Sequence, residues 1–159
     1  MSRAFTKEID DQPPSPAPEE PISFARNLVT PQGARMIEAA VASLEERLRR
    51  SVSAEERPAL KRELNYWHAR HASMEIVAYV ENPTAVRFGT VATVIRAGGK
   101  RQDLTIVGED EADPKAGKIA WTSPLATAIE GAGPGEEIEF ELPARSEAIT
   151  IEAIRSAAE

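Results

Sequence analysis

The chain has 159 residues, 42% of them hydrophobic and only 5% aromatic, with a formal net charge of −7. That length suits one compact domain with appendages or two small ones, packed mainly by Ala, Leu and Ile. The absence of cysteine excludes a disulfide framework and a thiolate metal site and suits a reducing cytoplasm. No apolar run approaches the ~18 residues of a membrane span, and the N-terminus lacks a signal-peptide core, so a soluble intracellular protein is expected. The acidic balance argues against autonomous nucleic-acid binding, which rests on neutralising phosphates. Charge is uneven: Pro31 to Val80 is nearly balanced and rich in Arg, while the C-terminal half carries most of the acidic excess. An acidic module beside an Arg-rich arm suits docking onto a large basic protein.

Residues 1–27 read as a disordered tail. Pro13, Pro14, Pro16, Pro18 and Pro21 forbid a helix there, and little in the segment can be buried, although Phe5, Ile22 and Phe24 are potential anchors. Thr30-Pro31-Gln32-Gly33 then opens a helix, with Thr30 as N-cap and Pro31 at the first helical position. Ile37, Val41, Leu44 and Leu48 form an a/d seam, and Leu60, Leu64, Trp67, His71 and Met74 repeat its spacing. Between the two runs, Ser53 and Glu56 can form a capping box, and Pro58 fits only a first turn, so the second helix begins close to it. Two seams joined by so short a turn predict an antiparallel helical hairpin over residues 28–80; a continuous intermolecular coiled coil is the rival reading.

From Asn82-Pro83 the periodicity changes to alternation, and residues 84–159 form the third segment. Val86 to Arg96 reads as a strand bearing Val91, Thr93 and Ile95 on one side. Ala97-Gly98-Gly99-Lys100 is a hairpin signal, followed by a strand near Leu104 to Val107. An acidic loop, Glu109 to Asp113, leads to a strand over Lys118–Trp121. Ser123 caps a short helix with Pro124 at its first position; Leu125, Ala128 and Ile129 point inward, and Gly131 ends it. Glu136 to Leu142 alternates Ile138, Phe140 and Leu142 with Glu137, Glu139 and Glu141, and a last strand carries Ile149 and Ile151. The predicted class is α+β: an antiparallel coiled-coil hairpin plus an antiparallel sheet of four or five strands with one helix.

The ordered string TIVGEDEADPKAGKIAWTSPLATAIEGAGPGEEIEF, Thr105 to Phe140, resembles the C-terminal domain of the GreA/GreB transcription factors. NLVTPQGARMIEAA, from Asn27, resembles the opening of that family's coiled-coil domain, and ELNYWHARHASMEIV, from Glu63, its return helix. The similarity covers most of Asn27 to Ile154. It implies an FKBP-like fold for the C-terminal segment and a non-catalytic regulator that binds bacterial RNA polymerase core at its secondary channel. It also implicates Glu111, Asp113, Ser123 and Pro124 in gripping the polymerase; the bland alternative is a solvated acidic loop and a helix start.

In cleavage-stimulating members, acidic residues at the hairpin tip help hold a second Mg²⁺, so that the polymerase hydrolyses backtracked RNA. Their tip string, approximately Asp-Leu-Ser-Glu-Asn-Ala-Glu-Tyr, does not occur in this chain, and the first arm reaches only about 30 Å. Glu55 and Glu56 are the available tip carboxylates, with Arg49, Arg50 and Arg57 expected to compete with a metal for their oxygens. The resulting expectation is a channel-binding elongation regulator without strong cleavage stimulation; a cleavage factor using tip-bound Mg²⁺ is the alternative. An FKBP-type peptidyl-prolyl isomerase is the rival from another class. That rival needs an aromatic-lined pocket, whereas Phe88, Trp121 and Phe140 are assigned to packing. No resident cofactor is expected, and no metal site either: His68, His71 and Glu75 share a helical face, but His71 occupies a seam position. No Ser-His-Asp arrangement can be argued, since both histidines lie on the hairpin.

Overall fold

The computed structural model describes residues 20–158, so the Pro-rich segment before Glu20, with Phe5, lies outside the described residues. The molecule is a mixed α+β structure with separate cores under its helices and its main sheet.

Strand β1 (Leu28–Val29) leads into helix α1 (Pro31–Arg50). Thr30 stands in extended conformation and its hydroxyl accepts from Gly33 N, as its place before Pro31 predicts. Arg47, Arg49 and Arg50 in the last turn oppose the negative end of the helix dipole. Helix α2 (Glu56–Ser73) begins two residues before Pro58, which therefore sits in the first turn. Only half of the expected capping box forms: Glu56 N donates to Ser53 Oγ at 3.3 Å.

The helices run in opposite directions. Near the tip, Leu44 packs with Leu60 and Leu64, flanked by Val41 and Leu48. At the base, Ala34 and Ile37 pack with Val29, Trp67 and Met74. Strand β2 (Glu75–Ile76) returns beside β1 in a short parallel pair.

One seam position is corrected. His71 is exposed and Arg70 is buried in its place. Arg70 lies three residues after Trp67 and four before Met74, so the spacing admits it as readily as His71. The groups that Arg70 meets outside the helix pair decide between them.

The main sheet has strand order β5-β4-β3-β7-β6, with β3 Thr90–Ile95, β4 Arg101–Val107, β5 Lys118–Ala120, β6 Glu137–Leu142 and β7 Arg145–Ser156. The expectation of a wholly antiparallel sheet is corrected here: β5 pairs parallel to β4, Thr105 opposite Lys118 and Val107 opposite Ala120. The loop 108–117 is long enough to carry the chain back along β4 before β5 starts, which a tight hairpin could not do. A single turn at Pro114–Ala116, closed by Gly117 at φ +77°, makes that return.

Helix α3 (Pro124–Ile129) covers one face of the sheet. Ala126 and Ile129 are buried there against Ala92, Val94, Leu104, Ile106, Ile149 and Ile151, while Leu125 and Ala128 are half-buried at the margin. A register shift opposite Thr93 and Val94 bends β7, which pairs with both β3 and β6.

Candidate protein-docking site

The acidic loop is the point at which the helix pair meets the sheet. Glu111 Oε2 accepts a 2.7 Å hydrogen bond from the Thr30 hydroxyl, whose oxygen also accepts from Gly33 N at 2.9 Å. A Cβ on Gly33 would lie 3.1 Å from Glu111 Oε2. Thr-Pro-X-Gly is therefore a cap that also leaves room for a carboxylate from the other unit at the positive end of α1. Gly108 makes a second close approach: a Cβ there would collide with the Leu28 carbonyl oxygen.

Asp110 is held more tightly. Its side chain is 5% exposed and pairs at 2.5 Å with Arg70, itself 3% exposed, while Tyr66 donates its phenolic proton to the other carboxylate oxygen. Arg70 Nη2 also donates to Asn27 Oδ1 at 2.7 Å, and Asn27 Nδ2 donates to the Arg70 carbonyl at 2.8 Å. Burial first, then the Asp110 hydrogen bond, raises the Tyr66 phenol above its ordinary range, so it stays a donor. Sequence reasoning missed this network. Its signal was an Arg at seam spacing together with a Tyr one turn earlier.

The four residues assigned to docking lie in unlike surroundings. Glu111 is half-buried at the junction. Asp113 is exposed, and its backbone exchanges hydrogen bonds with Lys118. Ser123 Oγ caps α3 by accepting from Ala126 N at 3.3 Å, and Pro124 is exposed beside it. Ser123 and Pro124 line an open, largely apolar groove of about 730 Å³ with Ala112, Pro114, Leu125, Phe140 and Leu142. Asp113 stands instead in a neighbouring cleft of mixed polar and apolar lining with Glu111, Gln32, Met36 and Lys118. Asp113 and Pro124 are exposed, whereas Glu111 and Ser123 are half-buried and each is bonded within the molecule.

At the hairpin tip the expected competition does not occur. Arg49 and Arg50 pair with Glu46 at 2.7 and 2.5 Å. Arg57 donates to the carbonyls of Leu48 and Ser51 at 2.8 and 3.1 Å, closing the end of α1. Glu55 and Glu56 are exposed and make no ion pair among the described residues, because Arg49 and Arg50 meet Glu46 within their own helix and Arg57 meets the carbonyls at the end of α1. Val52 projects beside them, 99% exposed. The expected shared helical face of His68, His71 and Glu75 is corrected: Glu75 lies beyond the helix in β2 and pairs with Arg26, while His68 on α2 lies 3.1 Å from Glu45. No cluster of three metal-ligating side chains occurs among the described residues.

The aromatics assigned to packing are divided. Phe140 borders the groove, whereas Phe88 and Trp121 line a cavity of about 250 Å³ closed partly by Arg26 and Leu28. Trp121 Nε1 is buried without a hydrogen-bond partner among the described residues.

Comparison with known proteins bears on this half of the molecule. Residues 81–156 match the family model described as "Transcription elongation factor, GreA/GreB, C-term", a span that contains the acidic loop, the groove and the whole main sheet. Residues 81–156 thus resemble the C-terminal domain of the GreA/GreB family. The chain is 45% identical over 67 residues to transcription elongation factor GreA of Hyphomonas neptunium, covering 42% of this chain and 43% of that protein. GreB of Neisseria meningitidis is 39% identical over 66 residues, 42% of this chain and 40% of that protein. GreA of Listeria monocytogenes is 35% identical over 85 residues, 54% and 53% of the two chains. The chain thus spans about two-fifths to half the length of these curated relatives. Among solved structures, GreA factor homolog 1 of Thermus thermophilus aligns over 83% of this chain and 100% of that one, at 17% identity and a TM-score of 0.41, too low to carry an argument about fold.

Proposed function

We propose that this protein is a transcription elongation regulator that docks on bacterial RNA polymerase core and presents its helix pair at the secondary channel. The observation that carries the reading is the family match over 81–156, together with a reachable apolar groove bordered by Ser123 and Pro124 inside that match. An apolar groove flanked by exposed carboxylates favours a protein surface with apolar anchors and basic neighbours over a nucleic-acid backbone. In this reading 28–80 is an antiparallel coiled-coil arm and 84–159 an FKBP-like docking domain; the tail expected over 1–27 ends earlier, because Arg26 and Asn27 bond to Glu75 and Arg70 at the base of the arm. The site of action is the cytoplasm. Consistent with that, no helix among the described residues is long and apolar enough to cross a membrane.

The tip supports regulation of the channel more than stimulation of cleavage. Glu55 and Glu56 are two adjacent exposed carboxylates, and no cluster of three metal-ligating side chains forms around them among the described residues. Helices of 20 and 18 residues give an arm of roughly 30 Å. The cavity beside Phe88 and Trp121 is the one observation that favours the isomerase reading, but Arg26 and Leu28 from the N-terminal side of the chain also line it. Likeness of fold does not transfer activity.

The deciding experiment is co-purification of the full chain with polymerase core. Stable binding is expected, weakened by Leu125→Glu or Asp113→Lys and unchanged by Glu152→Gln, which lies away from the groove. Failure of the parent chain to bind overturns the proposal. Catalysed prolyl isomerisation of a test peptide, lost in Trp121→Leu, would favour the isomerase instead.

A further inference from the structure

The acidic loop has two sides. Asp110 and Glu111 hold the helix pair, while Ala112 and Pro114 of the same loop line the groove. A single attachment would leave the helix pair free to swing, but three separated points are made. Tyr66 and Arg70, one turn apart on α2, both bond the Asp110 carboxylate, and Thr30 at the start of α1 bonds Glu111. Arg70 adds direction, because its planar guanidinium divides its donors between Asp110 and the Asn27 amide. The pair is almost fully buried, so solvent does not screen it as it would a surface bridge.

We infer that Arg70 and Asp110 are positioning residues that fix the direction in which the helix pair leaves the sheet. The acidic loop thereby links that direction to the groove. The functional consequence rests on the proposed docking role; the geometry does not. If the groove takes the polymerase, the ion pair sets where the arm points once docked.

The test uses the free full-length chain, whose lack of cysteine allows clean paired spin labels at Val52→Cys on the tip and Glu139→Cys on β6. A single narrow inter-label distance is expected in the parent. Arg70→Lys keeps the charge but cannot reach both acceptors with one fork, and should broaden the distribution. Arg70→Met with Asp110→Leu removes both buried charges together and should broaden it further while cooperative melting persists. Distributions that stay as narrow as the parent's in both variants overturn the inference; if the double variant does not fold, Arg70→Lys alone decides. With polymerase, Arg70→Lys should dock with unchanged affinity yet lose its effect on elongation at saturation. A variant that loses both in proportion would be merely destabilised, which counts against a positioning role. A parent chain that never binds polymerase ends the docking reading and leaves the label distances to judge the positioning.

Discussion

At the scale of single residues, the half-buried ion pair between the end of β3 and the start of β7 makes the clearest pH prediction. Arg96 grips Glu147 with two bonds of 2.7 and 2.8 Å, and Ala97 N donates to the same carboxylate at 3.2 Å. The Arg96 hydrogen bonds first, then the Ala97 amide, hold the Glu147 carboxyl down to about 2 from an ordinary 4.5. A carboxylate depressed in the folded state stabilises it above the unfolded value and loses that contribution as pH falls toward the folded value. The loss should therefore develop between 4.5 and about 2. Thermal melts at about pH 6 and about pH 3 should show a smaller acid-induced drop in Glu147→Gln than in the parent, whose extra sensitivity is this linkage. Glycines give a second contrast. Gly108→Ala should destabilise by displacing the Leu28 carbonyl, a purely steric effect, since Gly108 has no positive φ. Gly98→Ala meets open space at φ +80° and should cost about 1–2 kcal/mol through its backbone alone. Only Gly108→Ala should also alter the tip-to-sheet label distance.

At the scale of elements, the helix pair is held by a thin seam. Leu44 is 3% exposed between Leu60 and Leu64, so Leu44→Ala should cost about 2–5 kcal/mol, read from denaturant melts. The melting midpoint should not depend on protein concentration, because the partners of Leu44 lie on the same chain; strong dependence would indicate an intermolecular coil instead. Arg57 closes the C-terminal end of α1 through two carbonyls, so Arg57→Ala should fray the tip, seen as faster amide exchange at Leu48 to Ser53 with little change near Trp67. Thr30→Ala removes a cap and the bond to Glu111 together, and should exceed the roughly 1 kcal/mol of an ordinary cap loss.

At the scale of the whole molecule, the separation of groove and tip gives the functional prediction. Added to a backtracked polymerase complex with Mg²⁺, the protein should leave the RNA intact while displacing a cleavage-active competitor. Efficient RNA shortening, abolished by Glu55→Ala with Glu56→Ala, would show instead that the tip delivers metal ligands. The freedom of Glu55 and Glu56 from the neighbouring arginines makes that double substitution a clean test, since it breaks no ion pair among the described residues.

Much of this architecture follows from neighbours in sequence. Thr30-Pro31 and Ser123-Pro124 start helices because a cap acts on amides two or three residues away, and both caps form. Pro58 lies in a first turn because a proline needs no donor there. The four- and three-residue steps through Ile37, Val41 and Leu44, with the four-residue step from Leu60 to Leu64, select the buried stripe, and the alternation of Ile138 and Phe140 with glutamates selects the buried face of β6. Other features depend on groups far along the chain. Spacing admits Arg70 or His71 into the seam equally, and Asp110, 40 residues later, chooses Arg70 by offering a buried partner. An acidic run reads as solvated until Thr30, 81 residues away, takes Glu111. Strand β5 has the composition of either pairing direction, and only the return of loop 108–117 along β4 makes it parallel. Local rules thus place the caps, turns and apolar faces, whereas tertiary structure decides which polar groups those faces bury, because a buried charge is stable only where a distant partner meets it.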